Sequence, residues 1–543
     1  MKKKRSYIMY FGTLCAVAVI YFNSCTKLEN TPYSDIVASK FVPTKDDIGS
    51  LVGPAYSDWR NLLFSGAQGL FITQEICADE LAVPAKPYGF VDGGTHRRMH
   101  EHKWTSEQAH MVDAWKYSYS GILNCNRIIY QIESGTIPVD ETSKNSVLGE
   151  LKVLRASYYW VLCDLFGNVP VVDRFDVPLG FLPEQSNRAA VYNFIVSEIT
   201  TAIPYLSRSS DVTTYGRFNN KWAAYALLAK MYLNAGVYSG TTHWNECIVA
   251  CDSVINSGKF YLEAVQKNCF KQQNQNSKEL IWAVPFDEVY ATGNCLAAWT
   301  MTPQHQFTFN TKYGGWGGLN AIPQFIDTYN KQDKRYSDGW MMGQQYSATG
   351  TPLICAYGVM VGKPLIIVNE IPGIDSTQEV HSFRINKWEI APLSYANNMS
   401  NDFPIFRYAD IQMMKAECLL RTGYADAAAT IVTAVRSRDF SDPALAIVTG
   451  TQLNSGSGYQ YGLKNHFTTT IEGGDDIQYG RFLDELGWEF AAEGHRRTDM
   501  IRFGVFTTKS WLSHSPNGSN KNLFPIPLAE INKNPNLKQN TGY

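Results

Sequence analysis

The stretch GRFNNKWAAYALLAKMYLNAG at 216–236 decides the fold. Asn219 and Asn220 are natural helix caps, because their side chains accept hydrogen bonds from the first free amides of a helix. A helix is predicted from there to Gly236. Its Ala229, Leu233 and Gly236 return as Ala416, Leu420 and Gly423 in RYADIQMMKAECLLRTG at 407–423. Each copy runs into a second helical stretch, 243–257 and 424–438. A small residue where two helices cross, with a glycine at the turn, predicts a helical hairpin in each place.

Such pairs resemble tetratricopeptide hairpins. The two copies are far apart, so the chain is no tandem solenoid, and long insertions must separate partner helices. Upstream, Leu151, Leu154, Tyr158, Val161 and Leu165 fall at three- and four-residue spacing on one face. Gly167 and Pro170 follow as a helix stop. From about 260 to 400 the composition changes to Gly, Asn, Gln, Thr and aromatics, with short β-like runs such as Ile281–Val284. Loops this long inside a compact protein are usually functional.

The start of the chain addresses it. Lys2, Lys3, Lys4 and Arg5 precede an apolar run, Ile8 to Phe22, that is short for a bilayer span but right for a signal peptide. Cys25 at its end resembles the acylated cysteine of a bacterial lipoprotein, although Phe22 and Asn23 replace the usual leucine and small residue. Plain secretion is the alternative. The expected order is a leader at 1–24, a lipidated tether at 25–44 and one body at 45–543. That body divides into a helical part to 258, a loop-rich part at 259–406 and a second helical part. Losing the leader removes four of 48 basic residues, so 44 face 50 acidic ones, a net charge of −6. That argues against a nucleic-acid partner. Eleven cysteines become nine without Cys15 and Cys25. An odd number suits core residues better than a disulfide framework.

Three segments together resemble the SusD/RagB family of outer-membrane nutrient-binding lipoproteins. They are GELKVLRASYYWVLCDLFGNVPVV (149–172) with 216–236, the 407–438 hairpin, and DELGWEFAAEGHRRTDMIRFG (484–504) with the tail LFPIPLAEINKNPNLKQNTGY. Leu486 and Gly487 depart from the family, which often has arginine after the glutamate. The resemblance implies a mostly α fold of four tetratricopeptide-like hairpins with a loop-rich, minor-β, ligand-facing region. It implies a lid outside a Gram-negative outer membrane, over a SusC-like TonB-dependent β-barrel, holding an oligosaccharide or other nutrient. A peptide-capturing lid and a secreted glycoside hydrolase are the rivals. No cofactor or metal is expected.

Sugars offer an apolar face and a hydroxyl rim, so exposed Tyr and Trp rings are the complementary groups. Trp316, inside GGWGG at 314–318, is the first candidate; four glycines free the ring, or else let the loop pass a neighbouring helix. Tyr88, among Pro84, Pro87 and Gly89, is the second. Trp299, Tyr290, Tyr313 and Trp340 share the loop-rich stretch and complete the set. Trp160 and Trp222 belong to helix packing. Glu485, Glu489 and Glu493, one helical turn apart, suggest a structural ion-pair network with Arg481, Arg496, Arg497 and Arg502 rather than catalytic acids. His96, His100 and His102 in THRRMHEHKW are expected on a solvated loop, since Arg97, Arg98 and Lys103 oppose a metal ion.

Overall fold

The structure, a computed structural model, describes residues 47–66 and 68–543. The leader, the tether and Cys25 lie outside the described residues. The elements used below are helices α1 (Ile48–Leu63), α2 (Thr95–His100), α3 (Ala109–Glu133), α4 (Glu141–Leu165), α5 (Arg188–Ala202) and α6 (Lys221–Leu233). They continue as α7 (Trp244–Ile255), α8 (Leu296–Thr300), α9 (Tyr408–Arg421), α10 (Ala425–Arg436) and α11 (Gly480–Phe490). The strands are β1 (Leu280–Val284), β2 (Trp340–Met341), β3 (Arg384–Ile385) and β4 (Phe403–Arg407).

The fold is mostly α. Four helix pairs, α1/α3, α4/α5, α6/α7 and α9/α10, stack in succession. Local chemistry sets their ends. The Asp140 carboxylate accepts the Thr142 and Ser143 amides and starts α4, while Gly167, at φ 71°, closes it with its amide on the Leu162 carbonyl. Asn220 caps α6 through the amides of Trp222 and Ala223. That helix stops at Leu233 rather than at Gly236. The Asn234 side chain donates to the Lys230 carbonyl at 3.0 Å, and Gly236 sits in a separate short turn. Gly423, at φ 90°, is the turn glycine its position implies.

Small residues let the pairs meet. The fully buried Ala229 and Ala416 lie in apolar seams, and the Cys247 thiol donates to the Ala229 carbonyl at 3.3 Å. Among the described residues nine cysteines are buried with free thiols. α7 packs against α9, so the second hairpin adds to the first across the whole insertion. That insertion is a closed excursion. It leaves from β1 and returns through β4, which pair antiparallel with Val284 opposite Phe403 and Leu280 opposite Arg407. Further in, β2 pairs with β3. One apolar cluster runs from Val52 to Leu537, and a second joins α9, α10 and α11. No helix among the described residues is long and apolar enough to cross a membrane.

Candidate functional site

The GGWGG loop runs against α8 and the segment after it. The Gly317 amide bonds the Ala298 carbonyl at 3.1 Å, and the Leu319 amide bonds that of Trp299 at 2.9 Å. A Cβ on Gly315 would stand 2.1 Å from the Met301 carbonyl oxygen, and one on Gly318 2.5 Å from the Phe90 ring. Gly317 takes φ 69°. The glycines therefore serve close approach, and the tight passage leaves Trp316 on the surface. Its ring meets Trp299 edge-on at 5.7 Å and stays 39% exposed.

Other rings gather beside it. Tyr313, 64% exposed, lies 5.7 Å from the half-buried Tyr395, over which the Lys312 ammonium sits at 3.9 Å. Tyr88 packs 5.0 Å from the exposed Tyr357, with its hydroxyl so close to Gly317 that a Cβ there would meet it at 2.8 Å. The fold thus brings Trp316, Tyr313 and Tyr88 onto one loop cluster. Tyr290 stands out on a neighbouring turn, whose Val289 and Tyr290 amides bond the Asp287 carboxylate. Asn398 joins that turn to the Tyr395 turn through the Gly293 amide and the Glu288 carbonyl. Tyr357 and Tyr395 escaped the sequence reading, although each is a lone ring in the same polar stretch.

Two candidates fall away. Trp299 is 1% exposed, because α8 turns it inward beneath Trp316. Trp340 is 3% exposed, held by the β2–β3 ladder against Phe325 and Tyr329. Both are core residues. Trp160, stacked on Phe406 at 5.7 Å, and Trp222, bonded to the Arg208 carbonyl, belong to packing as expected. A separate cleft of 440 Å³, lined by Val52, Tyr56, Arg60, Tyr215 and Arg217, shares no side chain with the ring surface.

The glutamates do form an ion-pair network, with mostly different partners. Glu485 meets Arg335 at 2.8 Å, Arg436, and Arg481 at 3.1 Å. Glu489 meets Arg407 at 2.8 Å, Arg438 at 2.6 Å and Arg335 at 3.2 Å. Glu493 lies past the end of α11 and meets Arg407 and Lys387. Arg496, Arg497 and Arg502 pair instead with Asp79, Asp164 and Glu417. Burial opposes ionisation of Glu485, but the arginines pull its carboxyl down to about 2. Glu489 is held lower still, by Arg438, Arg407 and Arg335. A carboxyl so bound cannot serve as a proton donor near neutrality. Arg335, bonded to Asp333 at 2.7 Å, ties the insertion into this knot.

The histidines are not on a solvated loop. His96, His100 and His102 are buried, and α2 turns Arg97 and Arg98 outward instead. The His102 ring lies 4.2 Å from Phe506 and 4.1 Å from His514, with Nε2 at 2.8 Å from the Cys77 carbonyl. Burial pushes His96 and His100 down to about 4 and His102 to about 3, so the rings are neutral. No group of three metal-ligating side chains is spaced for a metal ion among the described residues.

Comparison with known proteins places this architecture. The family model described as "SusD family" matches residues 278–543, and one described as "Starch-binding associating with outer membrane" matches 84–233. The chain belongs to the SusD/RagB family. It is similar to the starch-binding protein SusD of Bacteroides thetaiotaomicron, 27% identical over 73% of this chain and 72% of that one. Among solved structures it resembles a laminarin-binding SusD-like protein, with a TM-score of 0.70 at 19% identity over 93% of this chain and all (100%) of that one. It also resembles surface glycan-binding protein A of the same Bacteroides species in complex with laminarihexaose. There the TM-score is 0.68 at 19% identity, over 92% and 100% of the two chains.

Proposed function

We infer that the protein is a cell-surface glycan-binding lipoprotein, anchored through Cys25 in the outer membrane. It captures an oligosaccharide for a SusC-like TonB-dependent barrel. The observation that carries this reading is the ring surface of the exposed Trp316, Tyr313 and Tyr357 with the half-buried Tyr88 and Tyr395, built on loops over a helical frame. Flat rings cover the apolar face of a sugar, and they present broad contact area at small entropic cost. Relatives named for starch and laminarin binding support the same cargo class. The buried, salt-bridged glutamates favour capture over cleavage.

The test is isothermal titration of the mature chain with laminarihexaose and with a set of other glycans. Saturable binding without chain shortening supports capture; hydrolysis of any bound glycan overturns it. The anchor is checked separately. Cys25→Ala should move the protein from the membrane fraction to the soluble one, and retention in the membrane would refute lipidation at that residue.

A further inference from the structure

Beneath the Tyr88 ring the protein buries two basic side chains beside a single carboxylate. Arg384, on β3, is fully shielded, yet it makes no direct ion pair among the described residues. It gives two long hydrogen bonds, both 3.4 Å, to the Leu319 and Glu379 carbonyls, and its Nε has no partner. Lys86, two residues before Tyr88, is also buried. Its ammonium donates to neutral groups, the Asn320 amide oxygen at 2.8 Å and the Thr377 hydroxyl at 3.2 Å. Burial, and then the nearby charge of Arg384, push Lys86 well below the usual ammonium range.

Glu379 is the carboxylate that reaches Arg384. Its Oε2 is already taken by the Ala356 and Tyr357 amides, at 2.6 and 2.7 Å, and the Gln304 side chain also hydrogen-bonds the carboxylate. The Tyr88 hydroxyl is buried without a partner in the same place. Buried polar atoms are rarely left unpaired, and an uncompensated buried charge is costlier still. Here the unpaired donors are the Arg384 Nε–H and the Tyr88 hydroxyl, and an anionic ligand group would satisfy both.

We propose that Lys86 and Arg384, closed over by Tyr88, form a subsite for an anionic substituent on the ligand, so that the cargo is an acidic glycan. The substituent is a uronate carboxylate or a sulfate ester; both match the planar fork of an arginine. The proposal rests on the glycan-binding reading above and narrows it. Access comes through Tyr88, half-buried with its hydroxyl directed inward. Its loop holds two non-glycine residues at positive φ, Phe90 at 66° and Asp92 at 36°, beside Gly89, Gly93 and Gly94. Backbone held in such regions is strained and clusters at binding sites. Turning the Tyr88 ring aside opens the guanidinium to the ring surface.

The experiment titrates the mature chain with three probes of equal length: an oligouronate, a sulfated oligosaccharide and uncharged laminarihexaose. One charged probe is expected to bind at least about tenfold tighter than laminarihexaose, with an advantage that shrinks as salt rises. In Lys86→Met, which keeps the apolar stem, the ratio of charged to uncharged affinity should fall to near one. Laminarihexaose binding as tightly as both charged probes would overturn the proposal, and so would a preference indifferent to salt. The salt titration uses the unaltered chain, so it stands even if the variant fails to fold. Binding of laminarihexaose alone refutes the acidic subsite and leaves glycan capture standing; binding of none of the three refutes both.

Discussion

Trp316 shows how one side chain and its backbone answer to different neighbours. The glycines are fixed by the wall of α8, whereas the indole is free to meet a ligand. Trp316→Ala should therefore weaken glycan binding about tenfold, roughly 1.4 kcal/mol, by titration. The melting temperature should change little, because the ring is not core. His102 makes the opposite case. Its folded ring resists a proton down to about pH 3, while the unfolded one accepts it near 6.5. Stability from the neutral ring is thus complete above about pH 6.5 and drains away as pH falls toward 3. Relative to His102→Phe, the wild type should lose about 1.4 kcal/mol per pH unit across that window, read from paired thermal melts. Neither outcome was legible in composition alone. Trp299, Trp316 and Trp340 share one loop-rich stretch of sequence, and the place each takes, on α8, on the glycine loop or on β2, decides which ring is buried. The histidines look solvated because charged neighbours surround them in sequence, but α2 sends those neighbours outward.

Helices were the readable scale. Caps such as Asn220 and stops such as Gly167 act through the nearest few peptide groups, so sequence shows them directly. The exception, the early end of α6, arises from a side chain competing for one carbonyl. Contacts between elements are less visible. Gly121 on α3 looks like any helical glycine, yet a Cβ there would stand 2.2 Å from the Tyr158 ring on α4. That ring is pinned by its hydroxyl bond to the Ala55 carbonyl at 2.7 Å and by stacking on Trp59. Gly121→Ala should gain about 1 kcal/mol of helix propensity and still lose about 1–3 kcal/mol net from overpacking. A raised denaturation midpoint would show that α3 and α4 can spread.

Across the molecule, the buried charge knot joins parts remote in sequence. Arg407 at the end of β4 reaches Glu279, Glu489 and Glu493, while Arg335 and Lys387 bring in the insertion. Arg407→Gln takes one cation from three buried carboxylates, leaving them only to Arg335, Arg438 and Lys387, and should cost about 3–5 kcal/mol. Limited proteolysis should then cut within 285–402 before the helices melt; an uncut insertion would show that the knot does not fasten it. The paired glutamates were readable as structural, but their partners were not. The nearby Arg496, Arg497 and Arg502 are drawn to other carboxylates, and distant arginines replace them. Since the fastening points lie inside, the turns bearing Trp316, Tyr313 and Tyr357 hang outside the rivets. On the proposed function, turns lengthened, shortened or rewritten there would leave the chassis fastened while changing which cargo the rings can grip.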